Sequence, residues 1–337
     1  MNYTNNILAE SWTIREEEFW QLTSTEDRSR FVLSYALLAP SRLNTQPWLF
    51  TIDGDSIHVM ADRRRCLAVV DPADRQLTIS CGAALHNLVL AMRRFGHDPE
   101  IHTFPDLNRP DLMATVRWGA EKEPSDYSMA QFRAITTRRT RGILGDGVSL
   151  PDSDLEELEL LASRGPVELS IIRETTQRHK IFELIKAASE EQFLDFRYQR
   201  EHASWTHPSR RRSRDGIPGR LLDPAHRRNA GVVSRPRVKG FLKGEEVVLA
   251  VLTTRNDSHS AWLDAGCSLQ SLLLGATRLD VQAAFLSHPL ELPGYREQLN
   301  VVLGSGKVAQ VMMAFGRAGY VRATPRRDLD DVLTPRD

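Results

Sequence analysis

The chain has 337 residues, 41% of them apolar and 26% charged, a soluble-globular composition with enough material for one large or two ordinary domains. Its 44 Lys and Arg balance 44 Asp and Glu, so no net field draws it to nucleic acid or to an anionic membrane. Cys66, Cys81 and Cys267 show no Cys-x-x-Cys pair and no metal-ligand spacing, no cationic leader opens the chain, and no apolar run approaches about eighteen residues; a cytoplasmic protein without a membrane span or a metal is expected.

Residues 1–23 set Trp12, Phe19 and Trp20 among acids, which predicts a short helix docked on the body. Ser24-Thr25-Glu26-Asp27 reads as an N-cap with an acidic first turn, and Phe31, Tyr35 and Leu38 follow at helical spacing, so a helix is expected up to Pro40. There the chain turns a corner, Pro40-Ser41-Arg42-Leu43-Asn44-Thr45-Gln46-Pro47-Trp48. The two prolines are expected to push Ala39 and Gln46 toward extended backbone and to leave the loop few conformations to lose. Ser41, Asn44 and Gln46 can each donate and accept, which suits the edge of a planar heterocycle. The same side chains would equally serve to satisfy backbone groups nearby. Asp53-Gly54 between Trp48–Ile52 and Ile57–Met60 marks a hairpin, and Arg63-Arg64-Arg65 beyond it reads as a solvated edge.

From Cys81 to Phe95 apolar residues occupy nearly every face, with Gly96 placed as a cap, so this helix is expected at the centre. His86 and Asn87 within it read as core polar groups with partners. A Pro- and Asp-rich loop leads to a strand at Leu112–Trp118, and residues 119–128 have linker composition. The pattern then returns. Shifted by 184 residues, Gly82 falls on Gly266, Leu85 on Leu269, Leu88 on Leu272 and Arg94 on Arg278, and a strand follows each copy, at Leu112–Trp118 and Val308–Phe315. The stretch from Leu160 to Ile171 looks like the corner with its polar middle removed. Two pseudo-repeats are expected, residues 1–120 and 121–337. Between the elements of the second, Thr176–Tyr198 reads as helix and residues 199–240 as a long Arg- and Pro-rich insertion, either a lid or a basic segment without a specific role.

No Gly-x-Gly-x-x-Gly follows a strand, and Gly304-Ser305-Gly306-Lys307-Val308 fails the phosphate-loop pattern because Val301 and Val308 stand where Gly and Ser or Thr belong. Gly-x-Ser-x-Gly and zincin spacings are missing too, which removes the ordinary hydrolase readings. Two cationic clusters remain, Thr136-Thr137-Arg138-Arg139-Thr140-Arg141-Gly142 and Pro325-Arg326-Arg327-Asp328. Forked guanidinium donors beside a short hydroxyl fit a phosphate monoester, although each cluster by itself also reads as a solvated patch.

Corner and clusters together resemble the nitroreductase family of flavoproteins, whose corner reads Pro-Ser-x-x-Asn-x-Gln-Pro-Trp; Pro40 to Trp48 matches each defining position. Because the corner stands in the first half only and the Arg-Arg-Thr segment in the second only, the nearest likeness is to the Acg-like branch, single chains similar to a fused nitroreductase dimer with one FMN site. The resemblance implies an α+β nitroreductase fold of two pseudo-repeats, each an antiparallel-rich sheet with helices packed around a central buried helix. It implies bound FMN, with Pro40, Ser41, Arg42, Asn44 and Gln46 facing it from the first half and Arg138, Arg139, Thr140, Arg141, Arg326 and Arg327 from the second, the arginines on the phosphate. It also implies hydride transfer from NAD(P)H to an electron-poor small molecule by a monomer that mimics a dimer, or else a protein that sequesters or stores flavin. Two departures stand out: the last arginine of the family's segment falls on Gly142, and the family's Gly-Leu-Gly run near flavin N5 becomes Leu279-Asp280-Val281-Gln282-Ala283. No catalytic acid or base is assigned, because the flavin would carry the chemistry.

Overall fold

A computed structural model of the chain describes residues 11–140, 150–162, 166–207, 214–218, 247–317 and 323–335. In chain order the first half runs α1 (Thr25–Ala36), β1 (Trp48–Asp53), β2 (Ser56–Ala61), α2 (Arg75–Arg94), β3 (Glu100–Thr103) and β4 (Leu112–Arg117). After it come α3 (Asp126–Ile135), α4 (Asp152–Ala162), β5 (Val167–Ile172), α5 (Thr175–Leu194), α6 (Phe196–Ser204), and the short β6 (Thr206–His207) and β7 (Ile217–Pro218). The chain continues with β8 (Val248–Thr254), α7 (His259–Arg278), β9 (Gln282–Phe285), α8 (His288–Glu291), α9 (Pro293–Leu303) and β10 (Val308–Gly316). The architecture is α+β.

Two four-stranded antiparallel sheets have the orders β1-β2-β4-β3 and β5-β8-β10-β9. Counted from the start of each half, that is the same order, and in both the long helix lies between the second and third strands. In the first sheet Trp48 faces Ala61 and Asp53 faces Ser56 across a tight turn at Gly54, whose φ of 60° suits glycine. In the second, residues 173–247 replace that turn between β5 and β8, so the insertion springs from the place of a hairpin loop.

The two long helices cross where α2 and α7 have glycine. A Cβ on Gly82 would strike the Leu263 carbonyl oxygen and lie 3.0 Å from the Gly266 Cα; one on Gly266 would strike the Ile79 carbonyl oxygen and lie 2.9 Å from the Gly82 Cα. The shift of 184 that maps Gly82 onto Gly266 also maps Ile79 onto Leu263, so the two contacts are reciprocal. Beside the crossing, Gln270 Nε2 donates to Asn87 Oδ1 (2.7 Å) and Asn87 Nδ2 donates to the Tyr35 carbonyl (2.9 Å), which places Asn87 as a satisfied core amide.

Several boundaries differ from expectation. Ser24 caps α1 by accepting from the Asp27 amide, but the helix closes at Ala36, before Pro40. The helix expected over Thr176–Tyr198 breaks at Asp195, which ends α5 and caps α6 by accepting from the Arg197 amide. Part of the expected Pro- and Asp-rich loop is a strand, β3: Glu100-Ile101-His102-Thr103 is exposed throughout and shows no apolar alternation, and pairing with β4 alone gives it that form. The N-terminal helix is a 3-10 turn, Glu16–Gln21, with Phe19 stacked on Phe95 at 4.0 Å. Ser163, Arg164 and Gly165, the loop of the second corner, lie outside the described residues.

Packing crosses residue 120. Phe132, Ala134 and Ile135 of α3 and Val332 of the tail join the first hydrophobic core. Phe50 donates its amide to Val332 O and accepts from the Thr334 amide, both at 2.8 Å, so the tail runs along the edge of β1. These two attachments bring both arginine clusters to the corner.

Candidate functional site

A cavity of about 300 Å³ opens where the corner, the N-terminal part of α2, α7, β9, β10 and the tail meet, a volume at the small end of ligand sites. Pro40, Ser41, Arg42, Leu43 and Asn44 line it from the corner, and Arg138, Arg139, Thr140, Thr324 and Arg326 from the segments after α3 and β10. Ile79, Leu269, Phe285, Leu290, Val311 and Ile217 supply its apolar walls.

The corner is strained. Leu43, Asn44 and Gln46 have φ of 50°, 54° and 52°, a left-handed region that costs of order 1 kcal/mol or more for each non-glycine residue. The extended backbone expected for Gln46 is therefore corrected: Ser41 Oγ accepts from its amide (2.9 Å), its side-chain Nε2 donates to Arg214 O (2.8 Å), and its Oε1 accepts from the Arg327 amide (2.8 Å). These bonds override the local preference. Gln46 and Arg327 accordingly stand behind the cavity wall, where Arg327 donates to Gln46 O (3.1 Å) and pairs with Asp62 (3.4 Å). Asn44 lines the cavity, yet its amide is engaged by the chain: Nδ2 donates to Gly216 O (3.2 Å) and Pro325 O (3.1 Å), and Oδ1 accepts from Arg326 (3.0 Å). Residues 214–218 of the insertion are pinned over the corner by the Gly216 amide to Asn44 O (3.1 Å) and by the ion pairs Arg65–Asp215 and Arg214–Asp328. Arg65, expected on a solvated edge, is instead a clamp, with Trp205 5.2 Å beneath its guanidinium.

Arg138 and Arg326 are 2% and 3% exposed, and among the described residues neither has a carboxylate partner. Arg138 donates to Leu38 O (2.9 Å) and Thr140 Oγ1 (2.8 Å); Arg326 donates to Leu38 O (3.3 Å), Ala39 O (3.2 Å) and Thr324 Oγ1 (2.6 Å). Carbonyls beyond the C-terminus of α1, where the helix dipole is negative, are thus the main compensation for two buried cations. It is incomplete: the Nε of each is buried without a hydrogen-bond acceptor. Burial first, and Arg139 second, push Arg138 down to about 9, and burial with both neighbouring arginines holds Arg326 well below its ordinary value. Trp12 lies against the cluster, its ring centre 4.0 Å from the Arg139 guanidinium carbon, 4.8 Å from that of Arg326 and 5.9 Å from that of Arg138. Arg141 lies outside the described residues.

A second polar group borders the cavity. Arg42 Nε donates to Glu291 Oε1 (2.7 Å), whose other oxygen accepts from Gln192 (2.9 Å); Gln192 Oε1 in turn accepts from His288 Nδ1 (2.6 Å), which fixes the proton on that nitrogen. Burial opposes both charges of the pair, but each outweighs it for the other: Glu291 stays below the usual carboxylate range and Arg42 above its ordinary value. Burial pushes His288 down to about 4 from 6.5, against the pull of Glu291. A depressed histidine stabilises the fold fully above the unfolded value and loses that contribution as pH falls toward the folded one. Thermal stability is therefore expected to drop between pH 6.5 and 4, by at most about 3–4 kcal/mol from this group. His288→Asn should flatten that limb of a melting-temperature curve; an unchanged slope would exclude His288 as its source.

Trp12, Thr324, Gln76 and Ile217 line the cavity although the sequence does not single them out. Trp12 carries a signal, an aromatic beside acids far from any core pattern, but nothing local ties it to residue 138 or 326. Among the described residues no helix is long and apolar enough to cross a membrane, and no group of His, Cys, Asp and Glu could hold a metal ion.

No family model matches the chain. It is 29% identical over 319 residues to "Putative NAD(P)H nitroreductase Rv3131" of Mycobacterium tuberculosis (strain ATCC 25618 / H37Rv), covering 90% of each chain. It is 25% identical over 322 residues to "Putative NAD(P)H nitroreductase acg" of the same strain, covering 92% of this chain and 96% of that one. The chain resembles the Acg-like nitroreductases. Solved nitroreductase structures match a part of it: NfnB from Mycobacterium smegmatis, described as FMN-dependent and in complex with NADPH, at a TM-score of 0.38 and 18% identity over 61% of this chain and 97% of that one. A BluB-like flavoprotein from Clostridium difficile 630 follows at 0.41 and 12%, over 60% and 96%. The likeness to the two Mycobacterium tuberculosis proteins spans nine-tenths of this sequence.

Proposed function

We propose that the cavity binds FMN and that the chain is an FMN-dependent oxidoreductase of the nitroreductase type, taking hydride from NAD(P)H and delivering it to an electron-poor small molecule. The observation that carries this reading is the pair Arg138 and Arg326, buried cations with unpartnered Nε donors and no described carboxylate, an arrangement that lacks a dianion with several acceptor oxygens. A phosphate monoester fits that need, and the apolar walls that adjoin it suit a flat ring. Arg138, Arg139, Thr140 and Arg326 would hold the phosphate; Pro40, Ser41, Arg42 and Asn44 would flank the ring, with Gln46 and Arg327 fixing the corner from behind. When bound, FMN would supply the hydride chemistry itself. The chain's part is to bind, to orient and, through Ile217 and the pinned residues 214–218, to keep water from one wall of the cavity.

The repeated strand order and the reciprocal glycines support a chain built by internal duplication, residues 1–120 and 121–337, that works as a monomer mimicking a dimer. The three cysteines, all free, suit a cytoplasmic setting. A second reading, a protein that sequesters flavin, draws on the two ion pairs and the backbone bond that hold residues 214–218 over the corner. Titration of the purified protein with FMN is expected to give a saturable one-to-one complex, followed anaerobically by bleaching on addition of NADH or NADPH. A protein that cannot take up FMN would sink both readings, and tight FMN without bleaching by either donor would leave sequestration.

A further inference from the structure

Among the described residues Arg138 and Arg326 lack the carboxylate that ordinarily holds guanidinium groups together, and one aromatic ring stands in its place. Trp12 is 7% exposed, donates its indole N–H to Thr324 O at 2.8 Å and lines the cavity. Three guanidinium carbons lie within 5.9 Å of its ring centre, inside the range over which the negative face of an indole attracts a cation. An aspartate at this position would also draw the arginines together, but it would occupy their forked donors and cancel the charge that a ligand is to meet. The π face attracts without accepting those N–H bonds. Its own hydrogen bond, to the residue two before Arg326, fixes the ring plane relative to the tail. The charges of Arg138 and Arg326 are thereby held side by side with no described carboxylate to neutralise them, which is the condition for discriminating a dianionic head from a neutral one.

We infer that Trp12 is a positioning residue that makes the cavity selective for the phosphorylated flavin over its dephosphorylated form, by aligning Arg138, Arg139 and Arg326 through its ring face. The inference rests on the FMN reading above and adds to it a residue and a selectivity. Riboflavin differs from FMN only in lacking the phosphate, so the ratio of the two dissociation constants isolates the head. For Trp12→Leu, an apolar residue without a π face, FMN affinity is expected to fall roughly tenfold, while riboflavin affinity stays within about twofold, the reproducibility needed to separate the two. Trp12→Phe, which keeps a ring, should restore most of the selectivity. Inorganic phosphate should compete with FMN in the native protein and do so more weakly in Trp12→Leu. Equal losses for both flavins would show that Trp12 merely supports the fold, and an unchanged FMN-to-riboflavin ratio would remove the ring from the selectivity; either overturns the inference while leaving FMN binding intact. A native protein that binds the two flavins equally would instead overturn the phosphate reading, and this inference with it.

Discussion

Gly82→Ala is expected to lower the stability of the folded chain by about 3 kcal/mol or more, beyond the ordinary range for overpacking a core. The reason is the nature of the obstacle. A side-chain tip can turn away, but the added methyl meets the backbone carbonyl of Leu263 and approaches the Gly266 Cα to 3.0 Å, so α2 and α7 would have to move apart along a contact that joins both cores. With a typical margin of about 5–15 kcal/mol, such a loss should appear as a large shift in the urea midpoint. Gly266→Ala should behave alike, because its methyl meets the equivalent carbonyl of Ile79. The double variant should cost less than the sum, since one separation of the helices relieves both clashes. Gly294→Ala is the control: nothing lies within 4 Å of its added Cβ, and alanine in a helix should be neutral or slightly stabilising. Midpoints for Gly82→Ala and Gly294→Ala that coincide would show that the crossing is looser than its geometry implies.

That crossing was legible in part. Two glycines at a fixed offset among repeated leucines announce a recurring central helix, because a helix that is apolar on every face must be covered on every face. That the two glycines meet each other was not legible, since periodicity describes one helix and not its partner. The hairpin at Asp53-Gly54 and the α1 cap at Ser24 follow from local chemistry and were readable for that reason. β3 was not, because an exposed edge strand acquires its identity from the partner that it pairs with. The corner shows the same division. Its residue types marked a polar, restricted loop, but the left-handed backbone at Asn44 and Gln46 is held by bonds that these side chains donate to the carbonyls of Arg214, Gly216 and Pro325 and accept from the Arg327 amide, residues at least 168 positions away. Gln46 and Arg327 have side chains whose types permit ligand contact, and the structure bonds them to each other and to Arg214, Trp48, Asp62 and Asp331, which no local pattern announces. Trp12 was missed for the converse reason. Its role exists only once three distant arginines converge on its ring.

Arg138→Met is expected to separate stability from binding. In the ligand-free chain Arg138 is a buried cation beside two others, with carbonyl and hydroxyl acceptors but no described carboxylate. Replacing buried ionic groups by apolar side chains of similar volume is often neutral or stabilising by about 1–4 kcal/mol in net terms, and a cation without a described carboxylate has less attraction to lose. The hydrogen bonds lost with the charge, to Leu38 O and Thr140 Oγ1, are already counted in that net figure, and Leu38 O keeps a donor in Arg326 at 3.3 Å. The flavin-free variant should therefore melt at the native temperature or above it. Its affinity for FMN should fall by roughly 10- to 150-fold, the equivalent of one charge-assisted hydrogen bond of about 1.5–3 kcal/mol. Melting with and without FMN reads both effects at once: the baseline holds or rises while the shift produced by the ligand shrinks. A variant that melts lower and binds FMN as tightly as the native chain would place Arg138 in the scaffold and leave the phosphate without its buried cation. The opposite result explains why the arginine is tolerated at all, since the charge that weakens the empty fold is the charge that a phosphate completes.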